Sequence, residues 1–545
     1  MSRSEHEEQR AADSVDPRGG AADPIEEGLV GPRDAPGPAP EAAPARALLT
    51  SDNRFRTGRL AGKTMNAAIL ALGVPVLLES MLNSLVGVTD TVLAAELGLD
   101  EADAIGGASY IVWFIGLVVM ALGIGATALI SRAIGGARVA TANAVLSQSL
   151  ILAIVAGLGT GLAIALLAGD VASLLNLSPD AARAFRTYMY FLAGGVPVSG
   201  VLFVMTACAR GAGDSTRPLY AMAARNVVNI VASWALSGVD LTRAAVGPGG
   251  ERISSVWLEN PFSFDLGIAG IALGTVLGDA VGAAIVLGMG ASGVWGIRFK
   301  KRRLRPHWVT MVRLIRLGVP NFLETLGMWI GNFFVIMFVG WLTIAAAADG
   351  LLGAHIVAIR IESLSFLPGF AIGSAAATLA GQYLGAKRPD LARTAVWRCA
   401  LLAGLVMGSL GALFILQSEW VTSLLTRQPE HLELTPTLLI ICGAVQIPFA
   451  LGIVFRQALR GAGDVKWAMA LTWFSTYGVR LPLAYLLSGV DIPLPGDGVL
   501  ENPMPDDFPA SGLVGLWVAL CADLAIRGTL FTARFIHGGW TSKRV

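Results

Sequence analysis

The amino-acid sequence predicts an all-α integral membrane protein, with twelve transmembrane helices in two pseudo-symmetric lobes of six. Three observations predict it. Of 545 residues, 54% are hydrophobic, only 14% are charged and 65 are glycine, a balance too apolar for a soluble globular chain and rich in the residue that lets membrane helices approach closely. Twelve separate stretches are long and apolar enough for a spanning helix, which needs about 20 residues. The chain also repeats itself: LGVPVLLES (72–80) returns as LGVPNFLET (317–325), RGAGD (210–214) at 460–464, LSGVD (236–240) at 487–491 and LENP (258–261) at 500–503, in the same order.

Residues 1–58 are expected to be a disordered cytosolic tail. Within 1–50, ten acidic residues face five arginines, and seven prolines leave no apolar core of signal-peptide length. The first lobe, 59–297, holds spans at 64–97, 103–131, 140–168, 182–209, 216–238 and 267–297. The basic segment RFKKRRLRPHW (298–308) links it to the second lobe, 309–545, with spans at 308–345, 351–382, 391–416, 432–459, 466–488 and 511–536. Alternate connecting segments carry 23 lysines and arginines in one set and five in the other. The positive-inside rule therefore puts both termini and the linker in the cytosol, and 239–266 and 490–510 outside. Six spans per repeat make the halves parallel, related by an axis along the membrane normal, which is a transporter arrangement. The RGAGD segments read as tight turns whose aspartate caps the next helix. Cys208, Cys399, Cys442 and Cys521 lie in apolar stretches without CxxC spacing, so buried free thiols are expected. The five histidines are scattered, which argues against a metal centre or an integral-membrane enzyme.

Pro75 followed by GVTDTVLAAELG, then RGAGDSTRP and NVVNIV, resembles the multidrug and toxic compound extrusion (MATE) transporters. GAHIVAIRIESLSFLPGFAIGSAAATLAGQYLGAKRPDLA (353–392) is similar to their bacterial DinF-like branch, and the resemblance runs over about 60–540. It implies V-shaped lobes around a central cavity. It further implies export of organic, cationic or amphiphilic compounds in exchange for H⁺ or Na⁺, with no other cofactor. Expected partners are small organic molecules and the bilayer, not nucleic acid, with a monomer in the bacterial cytoplasmic (inner) membrane. A lipid-linked oligosaccharide flippase of the same superfamily is the alternative. Such proteins often have fourteen helices and a more basic cavity.

The first span carries three polar groups. On a helix Asn83 lies about 40° and Asp90 about 20° from Glu79, so all three share a face, as on a helix lining a watery cavity. Glu79 and Asp90 are about 16 Å apart along the axis and cannot hold one ion together. Asp90, fifteen residues after Pro75, matches the family's first-helix acid, and the resemblance makes it the coupling acid. Arg225, Asn229 and Ser233 share a face of the fifth span at i, i+4, i+8. Asn229 is the expected partner of Asp90, including for Na⁺, while Ser233 stands where several relatives carry aspartate. In the second half, counting from Pro320, Val335 replaces Asp90 and Glu324 matches Glu79. Met328, one turn on, shares the face of Glu324. His355 and Glu362 share a face of the eighth span, with Arg360 as a potential ion-pair partner of Glu362. Glu324, Met328, His355 and Glu362 are expected along the substrate cavity. Asp279 and Asp523 look like repeat equivalents, with Asp523 paired to Arg527 at i+4. Pro75 and Pro320 each remove a helix hydrogen bond and are expected hinges.

Overall fold

The computed structural model describes residues 49–543 apart from Thr57, Asn176, 247–251, Ser263, 346–349, 495–497 and 505–511, so most of the expected tail, 1–48, lies outside the described residues. Helices α1 (Met65–Leu97), α2 (Leu99–Gly135), α3 (Val139–Leu174), α4 (Pro179–Gly211), α5 (Thr216–Ser237) and α6 (Gly267–Ser292) form the first half. The second half holds α7 (Trp308–Ala345), α8 (Leu351–Gly385), α9 (Pro389–Leu416), the short α10 (Ser418–Ser423), α11 (Pro429–Ala444), α12 (Gln446–Gly461), α13 (Val465–Trp473), α14 (Leu481–Ser488) and α15 (Gly512–His537).

All twelve expected stretches are helical, with shifts of a few residues at their ends. Among the described residues, nine helices are long and apolar enough to cross a membrane alone, and a tenth span forms if α11 and α12, bent by 57°, count as one. The remaining two depart for physical reasons. Helix α5 carries a buried polar stripe, Arg225, Asn226, Asn229 and Ser233. The stretch 465–488 is interrupted by a π-helical turn, Phe474–Arg480. Counted from RGAGD to LSGVD, the second repeat is one residue longer than the first, and a π-turn absorbs one extra residue within a helix. Pro75 and Pro320 sit inside α1 and α7, which continue through them.

Two antiparallel hairpins, β1–β2 (Leu241–Val246, Arg252–Leu258) and β3–β4 (Ile492–Leu494, Gly498–Leu500), follow α5 and α14 at matching places in the repeat. The repeated LENP explains their seating. Asn260 Nδ2 donates to the Trp234 (2.7 Å) and Val239 (3.4 Å) carbonyls. Asn502 Nδ2 does the same to Tyr485 (2.5 Å) and Val490 (3.3 Å).

The halves meet at the ends that carry the basic loops. Gln382 Nε2 donates to the Gly211 carbonyl (3.2 Å), Thr378 Oγ1 to that of Arg210 (3.2 Å), and Arg132 Nη2 to that of Ala462 (3.0 Å). Gly213 and Gly463 of the two RGAGD turns have φ of +92° and +85°, where a side chain would be strained. Asp214 Oδ1 accepts the Arg217 amide (3.2 Å), as expected of a cap, whereas Asp464 makes no capping hydrogen bond to α13 and pairs with Arg534 (2.6 Å) instead. The beginning of α1 is buried against the second half: Ala68, Ile69 and Leu72 share an apolar cluster with residues of α8, α9 and α12. Leu49 and Phe55 join that cluster, and Phe55 stacks on Tyr383 at 4.7 Å. The expected tail boundary at 58 is therefore corrected: residues from Leu49 on pack, because two large apolar side chains outweigh the polar composition around them. The linker is also held. Gln148 Nε2 donates to the Arg303 and Arg305 carbonyls (2.8 and 2.9 Å), and its Oε1 accepts the His307 amide (2.9 Å). All four cysteines are buried and free, as expected.

Candidate ion and substrate sites

A stripe of small residues sets the first site. Gly270, Gly274 and Gly278 of α6 lie four residues apart, and a Cβ on them would fall 2.4 Å from the Leu236 carbonyl carbon, 2.3 Å from the Ser233 nitrogen and 2.8 Å from the Arg225 oxygen. Only glycine lets the α5 backbone come so close. The contact brings Thr275 and Asp279 of α6 alongside the polar face of α5.

Asp90 enters from α1, 5% exposed. Its Oδ2 accepts hydrogen bonds from the Tyr188 hydroxyl of α4 (3.1 Å) and the Thr275 hydroxyl of α6 (3.2 Å). Asn229 Nδ2 donates to Thr275 Oγ1 (2.9 Å) and Ser233 Oγ (3.3 Å), while Ser233 donates to the Ile271 carbonyl (3.2 Å). Two buried acceptors of this cluster have no partner among the described residues, Asp90 Oδ1 and Asn229 Oδ1. Asp90 and Asn229 are joined through Thr275 of α6, which accepts from Asn229 and donates to Asp90, rather than by a hydrogen bond of their own among the described residues.

The other polar residues of α1 do not join that cluster. Glu79 is bound by Arg210 Nη1 (3.1 Å), one-fifth exposed, in an ion pair with the first RGAGD. Asn83 accepts from Arg225 Nη1 (3.1 Å), and Arg225 Nε pairs with Asp279, which also accepts from Ser199. The single stripe read from the sequence thus resolves into an ion pair, a hydrogen-bonded triad and the Asp90 site. Arg225 faces Asp279 because α6 brings that carboxylate beside α5.

The second half repeats the first two and lacks the third. Glu324, fully buried, pairs with Arg460 of the second RGAGD (2.8 Å) and accepts from Thr472 (2.8 Å). Arg480 pairs with Asp523 (2.6 Å) and donates to Asn332. Asp523 also binds Arg527 (2.7 Å), the expected i+4 pair, and Ser475. Counted back from LSGVD, Arg480 stands where the first half has Asn229. Val335 and Leu438, the repeat counterparts of Asp90 and Tyr188, are buried in an apolar cluster.

His355 is buried in the second half. It is 1% exposed, its Nδ1 accepts from Trp517 Nε1 of α15 (3.0 Å), and the two rings stand edge-on at 5.7 Å, while α8 around it packs on α11. That corrects its assignment to the substrate cavity. Arg360 is exposed and forms no ion pair with Glu362 among the described residues, so the expected bridge is absent. Met328 is half-buried, with its sulfur near two guanidinium groups, Arg527 Nη1 (3.4 Å) and Arg456 Nη1 (3.8 Å). Sequence reasoning missed Tyr188, Thr275 and Arg456. An isolated tyrosine or threonine in an apolar span carries no signal until the fold sets it beside a carboxylate.

A family model described as MatE matches residues 75–235 and 320–486, one segment in each half. A protein of Thermotoga maritima named "Probable multidrug resistance protein NorM" is 25% identical over 482 residues, covering 88% of this chain and 93% of that one. A Bacillus subtilis protein named "Probable multidrug resistance protein YoeA" is 25% identical over 428 residues, covering 76% and 85%. Among solved structures, one titled "Crystal structure of MATE in the bent conformation" superposes with a TM-score of 0.73 at 19% identity, covering 88% of this chain and 96% of that one. Another, titled as the outward-facing conformation of a multidrug resistance MATE family transporter, gives 0.70 at 19% identity, covering 89% and 98%. At that identity the likeness concerns the fold.

Proposed function

The chain belongs to the MatE family of membrane transporters, and we propose that it is a multidrug exporter, expelling amphiphilic organic compounds in exchange for a cation loaded at Asp90. The observation that carries this is the missing partner within a built polar cluster: among the described residues Glu362 too lacks an ion pair, but Asp90 is the one that sits between the hydroxyls of α4 and α6. Glu79, Asp279, Glu324 and Asp523 each have an arginine in direct contact. Among the described residues Asp90 has neutral hydroxyls on one oxygen and no hydrogen-bond partner on the other. An ionised carboxylate at membrane depth is costly, and a cation taken up there removes the cost.

The proton is the ion this set fits best. One carboxylate is present, and Ser233, where the family resemblance implies a second, turns its hydroxyl to the Ile271 carbonyl. The Na⁺ reading rests on Asn229 Oδ1, a second partnerless oxygen beside Asp90. Loading changes what ties the helices together. Charged Asp90 accepts from α4 and α6 at once through Oδ2; a proton on the partnerless Oδ1 makes that oxygen a donor and removes the charge, which weakens the bonds Oδ2 accepts from Tyr188 and Thr275.

The test is uptake of two fluorescent amphiphiles, one cationic and one bearing a carboxylate, into proteoliposomes under a pH gradient alone and a Na⁺ gradient alone. Transport driven by the pH gradient alone is expected. Transport driven only by Na⁺ would select the other ion, and neither gradient raising transport above protein-free liposomes would overturn the reading.

A further inference from the structure

We propose that the second half holds a binding site for the carboxylate of an amphiphilic aromatic substrate, built on Arg456 with Arg527, Met328 and Phe370. The inference names a substrate class for the exporter read above, and it is tested by binding alone, apart from ion coupling.

Charge balance raises the question. Between the spans of the first half, Glu79, Asp90 and Asp279 face Arg210 and Arg225, an excess of one acid. In the second half, Arg456, Arg460, Arg480 and Arg527 face Glu324, Asp523 and Glu362, an excess of one base. The same repeat thus carries opposite surplus charge in its two copies. A buried charge without a counter-charge is expensive, so the surplus arginine needs an anion from elsewhere.

Geometry says which arginine it is. Arg460 is committed to Glu324, and Arg480 to Asp523 and Asn332. Arg527 is bound to Asp523 and, through Nη2, to Thr476 (3.1 Å). Arg456 is left over. Its side chain is 7% exposed, its Nε has no partner among the described residues, and its closest carboxylate oxygen, on Glu324, is 3.9 Å away. Its Nη1 and Arg527 Nη1 instead converge on the Met328 sulfur. A thioether is a weak acceptor, so two guanidinium groups aim at a spot that an oxyanion would satisfy far better.

The surroundings favour an amphiphile over a bare ion. The Arg456 guanidinium lies over the Phe370 ring, 5.8 Å from its centroid. Phe370 stands edge-on to Phe366 (5.5 Å), and Phe366 to Phe449 (6.1 Å). These three rings and Met328 are each partly exposed, so an apolar wall adjoins the cationic head. An inorganic anion such as chloride shares the head chemistry but gains nothing from the wall.

The experiment is calorimetric titration of the full chain in nanodiscs with 1-naphthylacetate and with its neutral amide. The acid should bind about tenfold tighter or better, as a desolvated charge-assisted pair permits. Arg456→Gln, which leaves Glu324 its Arg460 and Thr472 partners, should abolish the preference, and Arg456→Lys should keep part of it. Equal affinities for acid and amide, or a preference surviving Arg456→Gln, would overturn the proposal. Chloride removing the preference at millimolar concentration would assign the site to an inorganic ion and overturn its substrate role. Met328→Glu gives a second readout: a built-in carboxylate should raise the melting temperature and exclude naphthylacetate, whereas a lowered melting temperature with binding intact refutes the site.

Discussion

Adding one methyl group at Gly135 should pry the halves apart at the end that carries the basic loops. Gly135 and Gly385 are the last residues of α2 and α8, where the halves touch. A Cβ on Gly135 would sit 1.9 Å from the Gln382 carbonyl oxygen, and one on Gly385 would sit 2.2 Å from that of Arg132. Both obstacles are backbone, which cannot rotate away. Overpacking of this kind costs about 1–3 kcal/mol. The cost exists only while these ends are in contact, so Gly135→Ala should favour their separation by about 5- to 150-fold. Gly159→Ala is the control: nothing lies within 4 Å of its added methyl, and within a helix it should stabilise by about 0.5–1 kcal/mol. Electron–electron resonance between spin labels at the exposed positions Ala140 and Thr394 reads the separation. A longer-distance population should grow in Gly135→Ala and Gly385→Ala but not in Gly159→Ala. A wild-type distance distribution with an unchanged melting temperature in Gly135→Ala would refute the reasoning.

Three further outcomes follow from the same structure. Glu324→Gln removes the one carboxylate that pairs with Arg460 and Arg456 among the described residues, both nearly inaccessible, and should cost about 3–5 kcal/mol in thermal melts. Glu79→Gln should cost less, about 1–3 kcal/mol, because Arg210 is one-fifth exposed and partly hydrated, and it should leave gradient-driven transport in place; equal losses for the two variants would contradict this. Lys301→Cys should react with a membrane-impermeant thiol reagent only from the cytosolic side and Ser255→Cys only from outside, against a background of four buried cysteines; the reverse pattern would invert the topology. Deleting residues 1–48 should leave folding and transport unchanged, whereas extending the deletion through Phe55 should lower the melting temperature by removing its stacking on Tyr383.

The halves and their spans were legible because the repeat and the apolar stretches are local signals. Pro75, RGAGD and LSGVD recur at nearly constant offsets, and no tertiary contact is needed to see it. The hairpins were not legible: β1–β2 and β3–β4 are held by Asn260 and Asn502 reaching back to helix ends, while their own sequences lack a strong alternation. The site was half legible. Helical phase placed Asp90, Asn83 and Glu79 on one face, but it could not say that Arg210 would claim Glu79 or that Asp279 would claim Arg225, since those partners come from other helices. His355 shows the same limit from the other side. Its face was read correctly, and Trp517 on α15 decides that the face is core. The excess of arginine in the second half was invisible in a chain whose net charge is +1.

The most direct test of the central claim is Asp90→Asn in liposomes at matched protein density. Asparagine keeps the volume and can still accept from Tyr188 and Thr275, but it cannot exchange a proton or present a full charge to a cation. The variant is predicted to insert, melt close to wild type and bind substrate within a modest factor, yet to gain no export from an imposed pH gradient. Export at near the wild-type rate under that gradient would contradict the account and leave Asp90 a structural residue.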